Sequence, residues 1–150
     1  MPILNYTTTI SPEKSVADIQ RVLSSHGVLR VIVEFGPDRI PAGLSFAIET
    51  QFGPRAYRLP ANINGVEAVL QKQLKQGKVP RKLASREQAA RVAWRILLDW
   101  VSAQLALIES GLVVVDQVFL PYMLANGNQT VYQVMVDHQL ALSGPKGDKS

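Results

Sequence analysis

A chain of 150 residues, 47% hydrophobic and 19% charged, is long and apolar enough to bury one core without staples. It has no cysteine, which excludes disulfides and thiolate metal sites and fits a reducing compartment. The net charge is +4, but residues 72–95 set eight basic side chains against one acid, a local charge of +7, while the remainder carries −3. A basic patch on a mildly acidic body is what attraction to a polyanion requires.

The opening Met1-Pro-Ile-Leu-Asn-Tyr6 has no basic region followed by an apolar core, so no secretory signal is expected. Residues 3–10, rich in Thr with Tyr6 and Ile10, are predicted as a strand. Ser11-Pro12-Glu13 is a helix start: a side-chain cap, proline in the first turn, then an acid. Val16, Ile19 and Leu23 carry that helix over 12–26, and Gly27 ends it.

Alternation then predicts three strands. Leu29, Val31, Val33 and Phe35 alternate with Arg30 and Glu34; residues 44–49 repeat the pattern; residues 55–59 form a short third strand before Pro60. The turns at Gly36-Pro37 and Gly53-Pro54 are short enough to make these neighbours antiparallel.

After Pro60 the period changes. Asn62 or Asn64 can cap a helix with Val66, Val69, Leu70 and Leu74 on one face, Lys72 and Lys75 on the wet side, and a stop near Gly77. Residues 78–84 form a basic loop containing Pro80. Ser85-Arg-Glu-Gln88 fits a capping box, and the helix it opens is predicted to reach Ser110, roughly 37 Å long. Arg91, Arg95, Asp99 and Ser102 mark its wet side. Its buried side is predicted at Ala93, Ile96, Leu97, Trp100, Val101 and Ile108, with Trp94 toward solvent. Asp99, Ser102 and Gln104 interrupt this helix, so it is not expected to span a bilayer.

Residues 113–120 are predicted as a short helix and Asn126-Gly-Asn128 as a turn. Residues 130–140 have nearly helical spacing, with a strand as the alternative. The polar segment 143–150 is expected to be a disordered tail. The predicted fold is therefore one α+β domain over 1–142. It has a mainly antiparallel sheet of about four strands in the order β-α-β-β-β, then a helical half built on one long helix.

Catalytic signatures are absent. Two histidines without cysteine lack metal-ligand spacing, and Asp137-His138 has no nucleophile assigned to it. His26 suits a helix end, and Glu34 and Glu49 read as solvated sheet faces. Gly77-Lys78 is not a phosphate-binding loop, because Val79 replaces the hydroxyl residue and Lys72 the opening glycine. No catalytic residue, metal or cofactor is assigned.

The basic stretch remains. Arg86, Arg91 and Arg95 occupy the N-terminal half of the long helix, against the preference of the helix dipole. A helix start lined with arginine would strengthen attraction for phosphate. Arg55 and Arg58, with Tyr57 between them, could add a stacking platform for bases if their strand shares a face with the basic loop. The alternative for Tyr57 is a core or half-buried strand position. Residues 119–124 are an apolar run that closes the core or offers Phe119, Leu120, Tyr122, Met123 and Leu124 to a second copy or a partner.

Residues 91–111 (Arg-Val-Ala-Trp-Arg-Ile-Leu-Leu-Asp-Trp-Val-Ser-Ala-Gln-Leu-Ala-Leu-Ile-Glu-Ser-Gly) and 118–123 (Val-Phe-Leu-Pro-Tyr-Met) resemble small proteins of bacteriophages and prophage-like elements. So do the opening six residues and Arg58-Leu-Pro-Ala61. The resemblance covers most of residues 1–140. It implies a context and supplies no activity and no site residues.

Together these readings lead to an expected function. The chain would be a non-catalytic, sequence-nonspecific nucleic-acid-binding protein of a phage or mobile element, preferring single strands. Lys78, Arg81, Lys82, Arg86, Arg91 and Arg95 would meet phosphate, with Arg55, Tyr57 and Arg58 as the platform. The alternative is a protein-interaction module, such as an inhibitor of a host or defence complex, using the basic patch against an acidic partner or residues 119–124 as an anchor. The expected location is the cytoplasm, that of the host if the chain is phage-encoded.

Overall fold

In the computed structural model, which describes residues 1–146, regular structure begins at Ser11. Its hydroxyl accepts the amide of Lys14 and caps helix α1 (Pro12–Ser24), which buries Ser15, Val16, Ile19 and Leu23. Gly27, at φ +83°, takes the left-handed conformation that turns the chain into the sheet.

Strands β1 (Val28–Phe35), β2 (Pro41–Thr50) and β3 (Gly53–Pro60) form an antiparallel meander in that order. The register sets Val33 beside Leu44 and Leu59, and Val31 beside Phe46 and Tyr57. These side chains line the core face; Ile32, Ser45 and Arg58 lie in one row on the opposite face.

The strand predicted over residues 3–10 is not formed. The segment turns at Asn5, whose φ is +65°, and its backbone is satisfied by glutamine side chains rather than by a ladder. Gln88 Nε2 donates to the carbonyls of Tyr6 and Thr8, both at 2.9 Å, and the Ile3 amide donates to Gln73 Oε1 at 3.1 Å. The main sheet therefore has three strands.

Asn62 caps α2 (Ile63–Lys75) by accepting the amide of Gly65. A single 3-10 turn (Arg81–Leu83) leads to Ser85, which caps α3 (Arg86–Glu109) by accepting the amide of Gln88. The reciprocal half of the predicted capping box is missing because the Gln88 side chain is turned away from the Ser85 amide: its Nε2 donates to Tyr6 and Thr8 and its Oε1 accepts from Arg91. Helix α3 packs against both α1 and α2.

The inward stripe of α3 runs through Ala90, Trp94, Leu98, Val101 and Leu105, at spacings of three and four. Trp94 is thus the core tryptophan: it has no exposed surface, and its Nε1 donates to the carbonyl of Pro41 at 2.7 Å. Trp100, six residues on, is half-buried on the flank with Ile96 and Leu97, the reverse of the predicted assignment.

The C-terminal part holds α4 (Val115–Phe119), a 3-10 turn (Leu120–Tyr122), a hairpin of β4 (Leu124–Asn126) and β5 (Gln129–Thr130), and α5 (Val131–Lys146). An antiparallel bridge from Met123 to Tyr57 sets the hairpin beside β3. Residues 130–140 are helical from Val131. Helix α5 occupies residues 143–146 of the expected tail, and residues 147–150 lie outside the described residues. No helix among the described residues is long and apolar enough to cross a membrane.

Candidate nucleic-acid interface

Strand alternation decides the fate of the expected stacking platform. Tyr57 points into the core with no exposed surface; its ring stacks on Phe46 at 5.3 Å and tilts against Phe119 at 5.9 Å. Its hydroxyl donates to Asp116 Oδ1 at 2.7 Å. Burial, and then that carboxylate, hold the phenol in its protonated form well above the ordinary pKa. A base cannot stack on this ring.

Arg58 faces the other side of the sheet. Its guanidinium donates to the Asn128 carbonyl at 2.6 Å and to Asn128 Oδ1 at 3.2 Å. Its Nε lies 3.8 Å from Glu34 Oε1, too far for a hydrogen bond. Arg58 clamps the β4–β5 turn to the sheet. Half-buried Arg55 alternates with Arg58, on the core side with Tyr57, so the three residues do not form one surface.

The start of α3 is similarly committed. Arg86 donates through Nε to Asp38 Oδ2 at 3.1 Å, and through one terminal nitrogen to Asn64 Oδ1 at 2.9 Å and Glu67 Oε1 at 3.1 Å. Those two carboxylates, Asp38 first, raise the Arg86 pKa. The Asp38 carboxyl lies below its ordinary value, held there first by the Ile40 amide and then by Arg86. Arg91 donates to Gln88 Oε1 at 2.9 Å. Arg95 stands 3.7 Å from Asp18, which also accepts from Lys14 at 2.6 Å and Arg21 at 2.8 Å. These two hydrogen bonds hold the Asp18 pKa below its ordinary value.

Within residues 72–95 five cations differ from these, and elsewhere Arg30, Arg39 and Arg55 likewise make no ion pair or side-chain hydrogen bond among the described residues. Lys72 and Lys75 end α2, and Lys78, Arg81 and Lys82 follow in the connection to α3; all five are exposed. Among the described residues none of them forms an ion pair or a side-chain hydrogen bond within the protein. The connection beneath them is firmly seated. Val79 and Ala84 are buried at 3% and 1% exposure, Gln71 Nε2 donates to the Ala84 carbonyl at 2.6 Å, and the Lys78 amide donates to the Gln73 carbonyl at 2.8 Å. The result is a basic rim on an anchored turn.

Predicted residues Lys78, Arg81 and Lys82 are therefore exposed and unpaired among the described residues, and Lys72 and Lys75, expected as a plain wet helix face, share that state at the adjoining end of α2. The partners that neutralise the arginines escaped sequence reasoning because Asp18, Asp38 and Glu67 come from three other parts of the chain. An apolar groove of about 410 Å³ was also missed; Val66, Ala93, Ile96, Leu97, Trp100 and Tyr122 line it, and the Trp100 and Tyr122 rings meet at 5.5 Å.

His26 Nδ1 lies 3.0 Å from the Val22 carbonyl and 3.1 Å from Ser25 Oγ at the end of α1, and Asp137 accepts from Gln129. Among the described residues no three His, Asp or Glu side chains cluster as metal ligands. No family model, curated protein or solved structure matches the chain.

Proposed function

We propose that this chain is a non-catalytic, sequence-nonspecific nucleic-acid-binding protein of a phage or mobile element. The basic rim of Lys72, Lys75, Lys78, Arg81 and Lys82 grips the sugar–phosphate backbone. The observation that supports this reading is the division of the cations in the basic stretch: Arg86 and Arg95 stand against carboxylates and Arg91 is half-buried against the Gln88 amide, whereas among the described residues the exposed rim has no protein partner. Counterion release from phosphate rewards cations that bring no acid with them. Residues 72–82 contain no aromatic side chain, so contact is with phosphate, and stacking adds no preference for single strands.

Fluorescence anisotropy with labelled single-stranded and duplex DNA tests this. Five phosphate contacts give a log–log salt slope of about −4.5 on duplex and about −3.5 on a single strand. Between 50 and 200 mM salt, duplex affinity then falls by roughly 500-fold. Arg81→Glu with Lys82→Glu weakens binding and flattens the slope. Absence of binding at low salt overturns the proposal. A second reading, a protein-interaction module, is favoured by the groove at Trp100 and Tyr122; near-stoichiometric co-purification of a host protein, lost on Trp100→Ala, would select it.

A further inference from the structure

The sheet has a free edge. β1 ends the order β1-β2-β3, so it is paired along one side. Among the described residues no loop or side chain hydrogen-bonds to its backbone from the other side. Native edge strands are protected by shortness, charged side chains, proline, bulges or cover, and here the charges are one Arg and one Glu, which oppose a second copy only in the wrong register. This edge is eight residues long, has neither lysine nor proline, and leaves Leu29, Ile32 and Phe35 at 62%, 51% and 62% exposure. A bulge at Leu29 ends its regular stretch and leaves residues 30–34 for pairing.

The side chains of that stretch are complementary to themselves. Two copies running antiparallel about a two-fold axis at Ile32 set Ile32 against Ile32 and Val31 against Val33. Arg30 of each copy then meets Glu34 of the other, an opposite-charge pair directly across the strands. A parallel pairing would set Arg30 on Arg30 and Glu34 on Glu34. Antiparallel registers displaced by two residues would put Glu34 against Ile32 or Val28.

We infer that β1 is the interface of a symmetric dimer, in which two copies of this chain join edge to edge about Ile32. Main-chain hydrogen bonds supply the pairing, and the two Arg30–Glu34 contacts select its register. The contact is isologous and closes at two copies, because the opposite side of the sheet is flanked by the β4–β5 hairpin. The basic rim takes no part in it, so the dimer and the nucleic-acid reading stand or fall separately.

Sedimentation equilibrium of the full chain across the micromolar range is expected to show a species of twice the 16.5 kDa chain mass. Ile32→Lys sets like charges against each other on the axis and raises the dissociation constant by roughly tenfold or more. Ile32 is an exposed residue, so an unchanged far-ultraviolet circular dichroism spectrum and a retained cooperative unfolding transition separate lost association from lost folding, while the midpoint falls only by the stabilisation that dimerisation supplied. Arg30→Glu and Glu34→Arg each weaken the dimer alone. Mixed in equal amounts they restore it, because the first chain then carries two acids and the second two bases at the facing positions. A wild-type chain that stays monomeric throughout, an Ile32→Lys chain that dimerises as tightly as wild type, or single charge variants that do not recover on mixing would overturn the inference.

Discussion

Truncating Phe119 separates a core residue from an interface residue, the two roles open to the apolar run at residues 119–124. The structure puts the ring in the core, with no exposed surface and with ring centroids 5.5 Å from Phe46, 5.5 Å from Trp100 and 5.9 Å from Tyr57. Phe119→Ala removes these contacts and leaves a void bounded by three aromatic rings that cannot all collapse into it. Truncations of this kind cost about 3–5 kcal/mol. A domain of this length loses roughly 2–4 °C of Tm per kcal/mol, so the midpoint is expected to drop by roughly 10 °C. Urea unfolding followed by tryptophan fluorescence measures it, with the m-value unchanged and the midpoint lowered. Leu120→Ala is the control: Leu120 is 44% exposed, and its loss is expected to cost less than about 1 kcal/mol. A Phe119→Ala chain as stable as wild type but altered in solution mass would refute the core assignment and return Phe119 to a surface.

Two further outcomes are expected. Gln88→Ala leaves the Tyr6 and Thr8 carbonyls without their donor at a buried position, costing about 1–3 kcal/mol. Amide exchange then quickens over residues 3–10 but not at the start of α3, whose cap uses the Gln88 main-chain amide that alanine retains. Stability toward acid follows from Asp18 and Asp38, whose folded pKa values lie below the ordinary 3.8. A depressed carboxyl stabilises the fold fully above its unfolded value and ceases to do so as pH falls through the folded one. The thermal midpoint is therefore expected to be flat above about pH 5 and to decline below the ordinary aspartate range, with Arg86→Met reducing the decline.

Local signals were the legible ones. Ser11, Asn62 and Ser85 cap as their side chains dictate, and Gly27, Gly77 and Gly111 take the positive φ that ends each helix. Alternation at Val31, Val33 and Phe46 named the core face of the sheet, but Leu29 and Phe35, counted on that same face, are exposed, and Tyr57, read as a stacking platform, lies in the core. Helix α3 defeated the same logic because it is apolar on several sides: it meets α1 and α2 on its flanks and reaches β2 through Trp94. Composition cannot say which of those stripes is innermost, and so Trp94 and Trp100 were exchanged. Residues 3–10 failed for another reason. Their carbonyls are satisfied by Gln88, a side chain 80 and more residues away, and no local pattern announces such a partner.

Charge shows the same limit with a functional consequence. An arginine in the first turn of α3 is disfavoured by the helix dipole, by a few tenths to about 1 kcal/mol, and sequence alone made an external phosphate the natural remedy. The remedy is internal: Asp38 from the β1–β2 turn and Glu67 from α2 both reach Arg86. Two carboxylates around one guanidinium offset its charge, which weakens the attraction of that end of the helix for phosphate. Exposed pairs of this kind are individually weak, so their main effect is on where the positive potential lies and not on stability. With Arg86 and Arg95 set against carboxylates, and Arg91 half-buried against the neutral Gln88, the exposed unpaired charge of the basic stretch lies at the end of α2 and the turn beyond. There, Lys72 and Lys75 precede Lys78, Arg81 and Lys82, and among the described residues no acid pairs with them. A polyanion that binds this protein should consequently respond to charge reversal at Arg81 and Lys82 and be indifferent, or slightly strengthened, when Glu67→Gln or Asp38→Asn releases Arg86. If binding instead depends on Arg86 in the wild-type chain, the helix start outcompetes its own carboxylates for phosphate, and the basic rim is not the interface.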